Sequence, residues 1–488
     1  MKTIHTYKLL IIIIMTTFFV ACSEDFLNQV PRLSQSNELS LSTYEGLQNA
    51  TIGAYSSLSS PSWYACSFVI IADLKGGNAK RGPINSGRFE NEYLWNNTPS
   101  STSVLWTDAY FTIACANNVI NAIEGGFTQA GITQQQIDQL KGECLFLRAL
   151  AHWDLVRIYS QPYAAGTGNM GVPVILKTEN GYPSRNTVGE VYQRVVADLT
   201  DAISLLPEDN PRGGDAAWAG SWAAKAILAK VNLYMGQWQP AADMATDVIA
   251  NSGTALFTAS QYTTWDNGGY WGSGGAGSEI LFQVDGSQGN SARGGNNLWE
   301  VISYLVNPDG YGDVATSQDL LDLYEASDVR GNLFRSPSAH PTTFWTLKYP
   351  SRLGGTPPVE FNTPVIRLAE LYLIRAEALL HGATVSGKTA LGDLNEIRTH
   401  RGLAASAVNP ALDDIYKERR RELCFEGNEL FDLARTQRSL ARVDYNGSMR
   451  KDVPFVVNGT AIENYLWAMP IPQSECDANV NMEQNPEY

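Results

Sequence analysis

The longest apolar run in the 488 residues, Leu9 to Val20, is twelve positions, well short of the roughly 20 that a helix needs to cross a bilayer core. That excludes a membrane span. Histidine is scarce, at five, and none of the six cysteines sits in a Cys-x-x-Cys spacing, so neither a zinc site nor a dithiol redox pair is suggested. Positive charge is outnumbered, with 35 Lys and Arg against 50 Asp and Glu. A net charge of −15 removes the phosphate attraction that drives nucleic-acid binding, so no nucleic-acid partner is expected. Catalytic signatures are missing too: no G-x-S-x-G, H-E-x-x-H or Cys–His nucleophile arrangement stands out. Low hydrophobicity, the mark of disordered chains, is also absent, because 44% of residues are hydrophobic and 10% aromatic.

What the N-terminus does have is a pair of lysines, the short apolar run, and Phe19-Val20-Ala21-Cys22 before Ser23-Glu24-Asp25. This reads as a bacterial lipoprotein signal over residues 1–21, with Cys22 as the acylated first residue of the mature chain. Phe19 stands where an aliphatic residue is usual. The signal carries two lysines and no acid, so its removal takes the net charge to −17. The expected location is the cell surface, lipid-anchored in the outer membrane. Five other cysteines remain, Cys66, Cys115, Cys144, Cys424 and Cys476, which cannot all pair; they are expected to act as small buried hydrophobes, with one or two disulfides as the alternative that an oxidising compartment allows.

Apolar residues recur at helical spacing through Tyr44–Leu58, Val104–Ile123, Ile137–Ile158, Val188–Leu206, Trp222–Met235 and Ala241–Ile249. Gly236 and Pro240 punctuate the last two into a hairpin. Its pattern, small residues at Ala226, Ala229, Ala241 and Ala245 with Leu233, Tyr234 and Trp238 filling the gaps, resembles a tetratricopeptide unit. Arg367–Leu380 with Ala390–Thr399 looks like another. The expected fold is therefore dominated by α-helices, a scaffold of stacked tetratricopeptide-like hairpins with long irregular loops and a few short strands. Residues 22–250 form the N-terminal helical region, and 251–488 a C-terminal region with a loop-rich insert and further helices. Within the insert, Glu279–Val284 reads as a strand. A second irregular stretch runs from Pro61 to Thr98.

Gly382-Ala383-Thr384-Val385-Ser386-Gly387-Lys388-Thr389 satisfies the phosphate-loop pattern. It follows helical spacing rather than a strand, so it is read as a turn between helices. Glu418, Glu422, Glu426 and Glu429, interleaved with Arg419, Arg420 and Arg421, recur at four-residue spacing that favours intrahelical ion pairs over an acid/base pair for glycoside hydrolysis. The positive signal is aromatic. Sugar rings stack their C–H faces on indole and phenol planes while their hydroxyls need amide, carboxylate and guanidinium partners, and both loop regions are rich in these.

Several segments are together similar to the SusD/RagB family of outer-membrane nutrient-binding lipoproteins. They are Cys22-Ser23-Glu24-Asp25-Phe26-Leu27, Leu145 to Arg157 with Trp153-Asp154-Leu155-Val156-Arg157, Gly171-Val172-Pro173, Glu418 to Gly427, Phe431-Asp432-Leu433-Ala434-Arg435, and the end at Pro470-Ile471-Pro472 and Gln484-Asn485-Pro486. The resemblance implies a binding protein, not an enzyme; no cofactor is expected, and whether calcium takes part is left open by the sequence. Such a protein captures oligosaccharide or polysaccharide and passes it to a SusC-like TonB-dependent transporter. Regions rather than fixed motifs carry the family's ligand contacts, which here offer Trp63, Asn78, Arg81, Trp95, Trp299, Tyr304 and Tyr311. Trp271 is added on aromatic density. A peptide-binding surface lipoprotein on the same scaffold and an extracellular glycosidase are the alternatives.

Overall fold

In the computed structural model the described residues are 40–101, 104–208, 216–263, 279–285, 305–306, 308, 310–349, 362–457, 460–463 and 465–488. Cys22, Trp271, Trp299 and Tyr304 lie outside them.

Helices start where side chains can replace the backbone partners that the first turn lacks. Thr133 opens α4 and Thr187 opens α5, each closing a capping box with Gln136 or Glu190. In chain order the main helices are α1 (Tyr44–Leu58), α2 (Ser67–Gly76), α3 (Trp106–Glu124), α4 (Gln134–Tyr159), α5 (Val188–Leu205), α6 (Ser221–Tyr234), α7 (Trp238–Asn251), α8 (Leu368–Leu380), α9 (Ala390–His400), α10 (Leu412–Leu423) and α11 (Glu429–Arg435). Neighbours in this order stack: α1 on α3, α3 on α4, α4 on α5, α5 on α6, α6 on α7, then α7 on α8 and α8 on α9. This is the stacked-hairpin scaffold that the periodicity predicts. Gly236 turns the α6–α7 hairpin at φ 69°, a left-handed conformation that favours glycine. Residues 382–389 form the turn between α8 and α9, and the Thr389 hydroxyl caps α9 by accepting from the Gly392 N–H, so the phosphate-loop pattern is a helix connection.

Strands are short and come in antiparallel pairs: β1 (Ala79–Arg81) with β3 (Val314–Thr316), and β2 (Ile280–Val284) with β4 (Thr363–Arg367). One main apolar cluster runs from Leu47 to Met482 and draws on helices from both ends of the chain. Helix α2 is a departure from the expectation of an irregular 61–98 stretch. Phe68 to Ala72 are apolar on every side because the helix is buried on every side, so no helical period shows in the sequence.

The conspicuous residues of α4 build this interior. Arg148 grips Asp198 of α5 with two hydrogen bonds, at 2.8 and 2.7 Å, and reaches Asn117 of α3 at 2.8 Å. Arg157 pairs with Asp154 and lies 3.8 Å from the Trp153 ring centroid and 4.5 Å from that of Phe431. The Glu/Arg run of α10 and the turn after it is likewise structural, but only Glu418 and Arg421 pair within the helix. The other partners come from distant segments. Glu422 binds Arg330, Arg367 and Arg401, Glu426 binds Arg367 and Lys348, and Glu279, just before β2, joins Arg367 and Arg401.

Glu429 is the outlier among these acids. Burial, reinforced by nearby Asp432 and Asp73 and opposed by Arg420, pushes its carboxyl up to about 7. A folded-state value above the unfolded one, near 4.3, gives stability that is complete below pH 4 and is lost as pH rises through 7. Glu429→Gln, a neutral mimic of the protonated acid, is therefore expected to be near neutral at pH 4 and to stabilise by about 3 kcal/mol at pH 8. Urea unfolding at the two pH values checks it. An equal effect at both would show that the carboxyl does not titrate there.

Candidate functional site

The β1–β3 pair holds three surface segments together. Gly82 follows β1 so closely packed that a Cβ there would lie 1.9 Å from the Gly312 carbonyl oxygen. That contact joins the 82–97 loop to the 310–313 turn. The Arg81 guanidinium makes two 2.7 Å bonds to Glu90 and one of 2.7 Å to the Asn446 carbonyl, and Asn446 Nδ2 donates back to the Arg81 carbonyl at 2.9 Å. Hydrogen bonding to Glu90 holds the Arg81 guanidinium above even its usual range. Lys80 pairs with Asp444 at 2.6 Å, and Asp444 also accepts from the Gln318 N–H, tying the 440–450 segment to the residues after β3.

On the other side of Gly82, buried Asp313 accepts from the Ser86 N–H and hydroxyl and from Arg88. Arg88 lies 4.1 Å from the centroid of the half-buried Tyr311 ring. Tyr445, also half-buried, stacks on Tyr93 with centroids 5.1 Å apart and a 28° interplanar angle. The outcome is a surface with two partly open phenol rings, amides at Asn85 and Asn446, and guanidiniums fixed by carboxylates. It suits a ligand with apolar C–H faces and many hydroxyls. Each carboxylate here, Glu90, Asp313 and Asp444, is engaged by a cation, which is the wrong arrangement for a general acid.

The sequence candidates divide sharply. Arg81 and Tyr311 lie on this surface. Trp63, Asn78 and Trp95 do not, and are corrected to structural residues, because all three are 0% exposed. Trp63 donates its indole N–H to Asp154 at 2.8 Å beside the Tyr64 hydroxyl at 2.7 Å, pinning the 60–66 turn onto α4. Asn78 bridges Asp73 and Arg420. Trp95 packs edge-on against Trp467 at 4.9 Å with the Lys75 ammonium 3.8 Å from its ring centroid. Trp271, Trp299, Tyr304 and the lipidation candidate Cys22 lie outside the described residues. Sequence reading missed Arg88, Tyr445 and Asn446. The Asp444-Tyr445-Asn446-Gly447 string is a turn signal carrying an aromatic, and that combination could have marked the third segment. Among the described residues, no cluster of three or more His, Cys, Asp or Glu could hold a metal, and no helix is long and apolar enough to cross a membrane.

Comparison with known proteins gives a consistent result. A family model described as starch-binding, associating with the outer membrane, matches residues 25–233, and one described as the SusD family matches residues 355–488. A SusD-like protein of Bacteroides ovatus is 27% identical over 502 residues, covering 89% of this chain and 83% of that protein. The starch-binding protein SusD of Bacteroides thetaiotaomicron is 34% identical over 132 residues, 26% of this chain and 22% of that protein. A solved SusD superfamily structure from Bacteroides vulgatus superposes with a TM-score of 0.81 at 28% identity, covering 91% of this chain and 99% of that one.

Proposed function

Because the chain belongs to the SusD/RagB family, we propose that it is a cell-surface lipoprotein that captures oligosaccharide or polysaccharide and delivers it to a SusC-like TonB-dependent transporter. The observation that carries this reading is the Arg81–Tyr311–Tyr445 surface, where phenol planes stand beside amides and a guanidinium whose geometry is fixed in advance. Pre-organised donors lose little freedom on binding. Tyr311 and Tyr445 offer stacking worth about 1 kcal/mol each, so the affinity stays modest. Modest affinity means fast release, as a protein that hands its ligand onward requires. Trp271, Trp299 and Tyr304 are proposed as further contacts from the insert.

Native gels containing soluble starch or laminarin test the reading. The mature protein is expected to be retarded by at least one of the two, with no new reducing ends released on prolonged incubation. Arg81→Ala should weaken binding about tenfold, as loss of a charged hydrogen-bond donor does, and Tyr311→Ala about fivefold. Retardation by neither polysaccharide, or sugar release abolished by an Asp or Glu substitution, would defeat it. Affinity purification from solubilised outer membranes tests the partner, and a transporter-sized barrel protein is expected to copurify.

A further inference from the structure

Near the C-terminus the structure holds a cavity of about 470 Å³ that none of the preceding chemistry uses. Its walls come from the segment after α4 and from the last 25 residues: Gln161, Asn169 and Met170 on one side, Tyr465, Asn485 and Pro486 on the other. Two of these wall residues are short of a hydrogen bond. Gln161 Oε1, an acceptor, and Asn169 Nδ2, a donor, are both buried without a partner. Buried amide groups are ordinarily satisfied, and leaving one unmade costs about 1 to 3 kcal/mol. Their neighbour Asn485 uses its side-chain nitrogen to donate to the carbonyls of Tyr159 at 2.9 Å and Met469 at 2.7 Å, so the far wall is held in place. Tyr465 is held as well, by an edge-on contact with Tyr488 at 5.1 Å.

We infer that this cavity is a second saccharide site, which takes one neutral pyranose unit. A sugar hydroxyl both donates and accepts, so a small rotation of the two amides would let adjacent hydroxyls satisfy Gln161 Oε1 and Asn169 Nδ2 together. The C–H face of the ring would meet Tyr465 and Pro486. The volume lies within the range of small-ligand sites. Among the described wall residues Glu487 alone is charged, so a neutral ligand is favoured over an anionic one. This site shares no residue with the Arg81 surface. The inference rests on the glycan reading above.

The test is a crystal of the mature protein soaked with maltoheptaose or laminarihexaose, together with calorimetric titration of the same probes. Sugar density is expected in this cavity, and Gln161→Leu, Asn169→Leu and Tyr465→Ala should each weaken oligosaccharide binding at least threefold. The two leucine variants remove polar groups that lack partners, so their melting temperatures should hold or rise, which separates lost binding from lost folding. Density at the Arg81 surface with an empty cavity, and unchanged affinity in all three variants, overturns this site alone. Density nowhere, with no heat for either probe, overturns the site and the glycan reading together.

Discussion

Glu422→Gln should lower the unfolding free energy by about 3 to 5 kcal/mol, the loss typical when one member of a buried ion pair is removed and its partners stay charged. Glu422 is 0% exposed and accepts from Arg367 at 2.6 Å, Arg401 at 2.7 Å and Arg330 at 2.8 Å. Around it, Asp328, Glu279, Glu418, Glu422 and Glu426 face Arg330, Lys348, Arg367, Arg401 and Arg421. The charges balance, so deleting one carboxylate leaves a buried excess of positive charge. Burial alone would raise the Glu422 carboxyl, but Arg401, Arg367 and Arg330 outweigh it and hold the group well below the usual carboxylate range. A depressed folded-state value means that the contribution is complete above the unfolded value near 4.3 and is lost as pH falls through the folded one. The variant should therefore lose most stability at neutral pH and little in strong acid, where wild type has lost the same contribution. Urea unfolding at pH 7 and pH 3 measures both. Replacing Glu422 and Arg401 together by leucine should recover part of the loss, since an apolar replacement of a whole buried pair is often close to neutral. A single-site effect below about 1 kcal/mol would mean that the network is solvated in solution.

How much of this was readable in advance depended on whether a residue's partner was local. Helix α1 follows the periodicity of Tyr44–Leu58 to the residue, and α4 to α9 lie within three residues of their expected limits, because amphipathic spacing is a local record of which face is buried. Helix α2 left no such record, since all its faces are buried. Aromatic density in the loops was a poor guide for a related reason. Trp63 and Trp95 are core residues because of Asp154, 91 positions away from the first, and Trp467, far beyond the second. Nothing near either tryptophan announces that. The Glu/Arg run after residue 417 was recognised as structural, while its true partners, Arg330, Lys348, Arg367 and Arg401, lie 21 to 92 positions from their carboxylates and could not be assigned from spacing. The 440–450 segment reaches the candidate surface through the Arg81–Asn446 exchange, the Lys80–Asp444 pair and the Tyr445–Tyr93 stack, all of which are properties of the fold.

Changing Cys22 to serine should move most of the protein from the membrane fraction to the soluble fraction while leaving polysaccharide retardation unchanged. A net charge of −15 gives the chain no attraction to anionic headgroups, so the proposed acyl chains are expected to supply most of the attachment, with the proposed transporter contact as the remainder. Each buried methylene contributes about 0.8 kcal/mol, and one chain alone binds only marginally, so stable anchoring requires more than one acyl group on the terminal residue. Fractionation of cells with detergent phase separation checks the first half of the expectation, and native gels in starch or laminarin check the second. If the serine variant still pellets with membranes in high salt from cells that lack the transporter, attachment resides elsewhere in the chain and the lipid tether is wrong. If it is soluble but no longer binds polysaccharide, the glycan site depends on the membrane or on the transporter, and the Arg81 surface is incomplete without them.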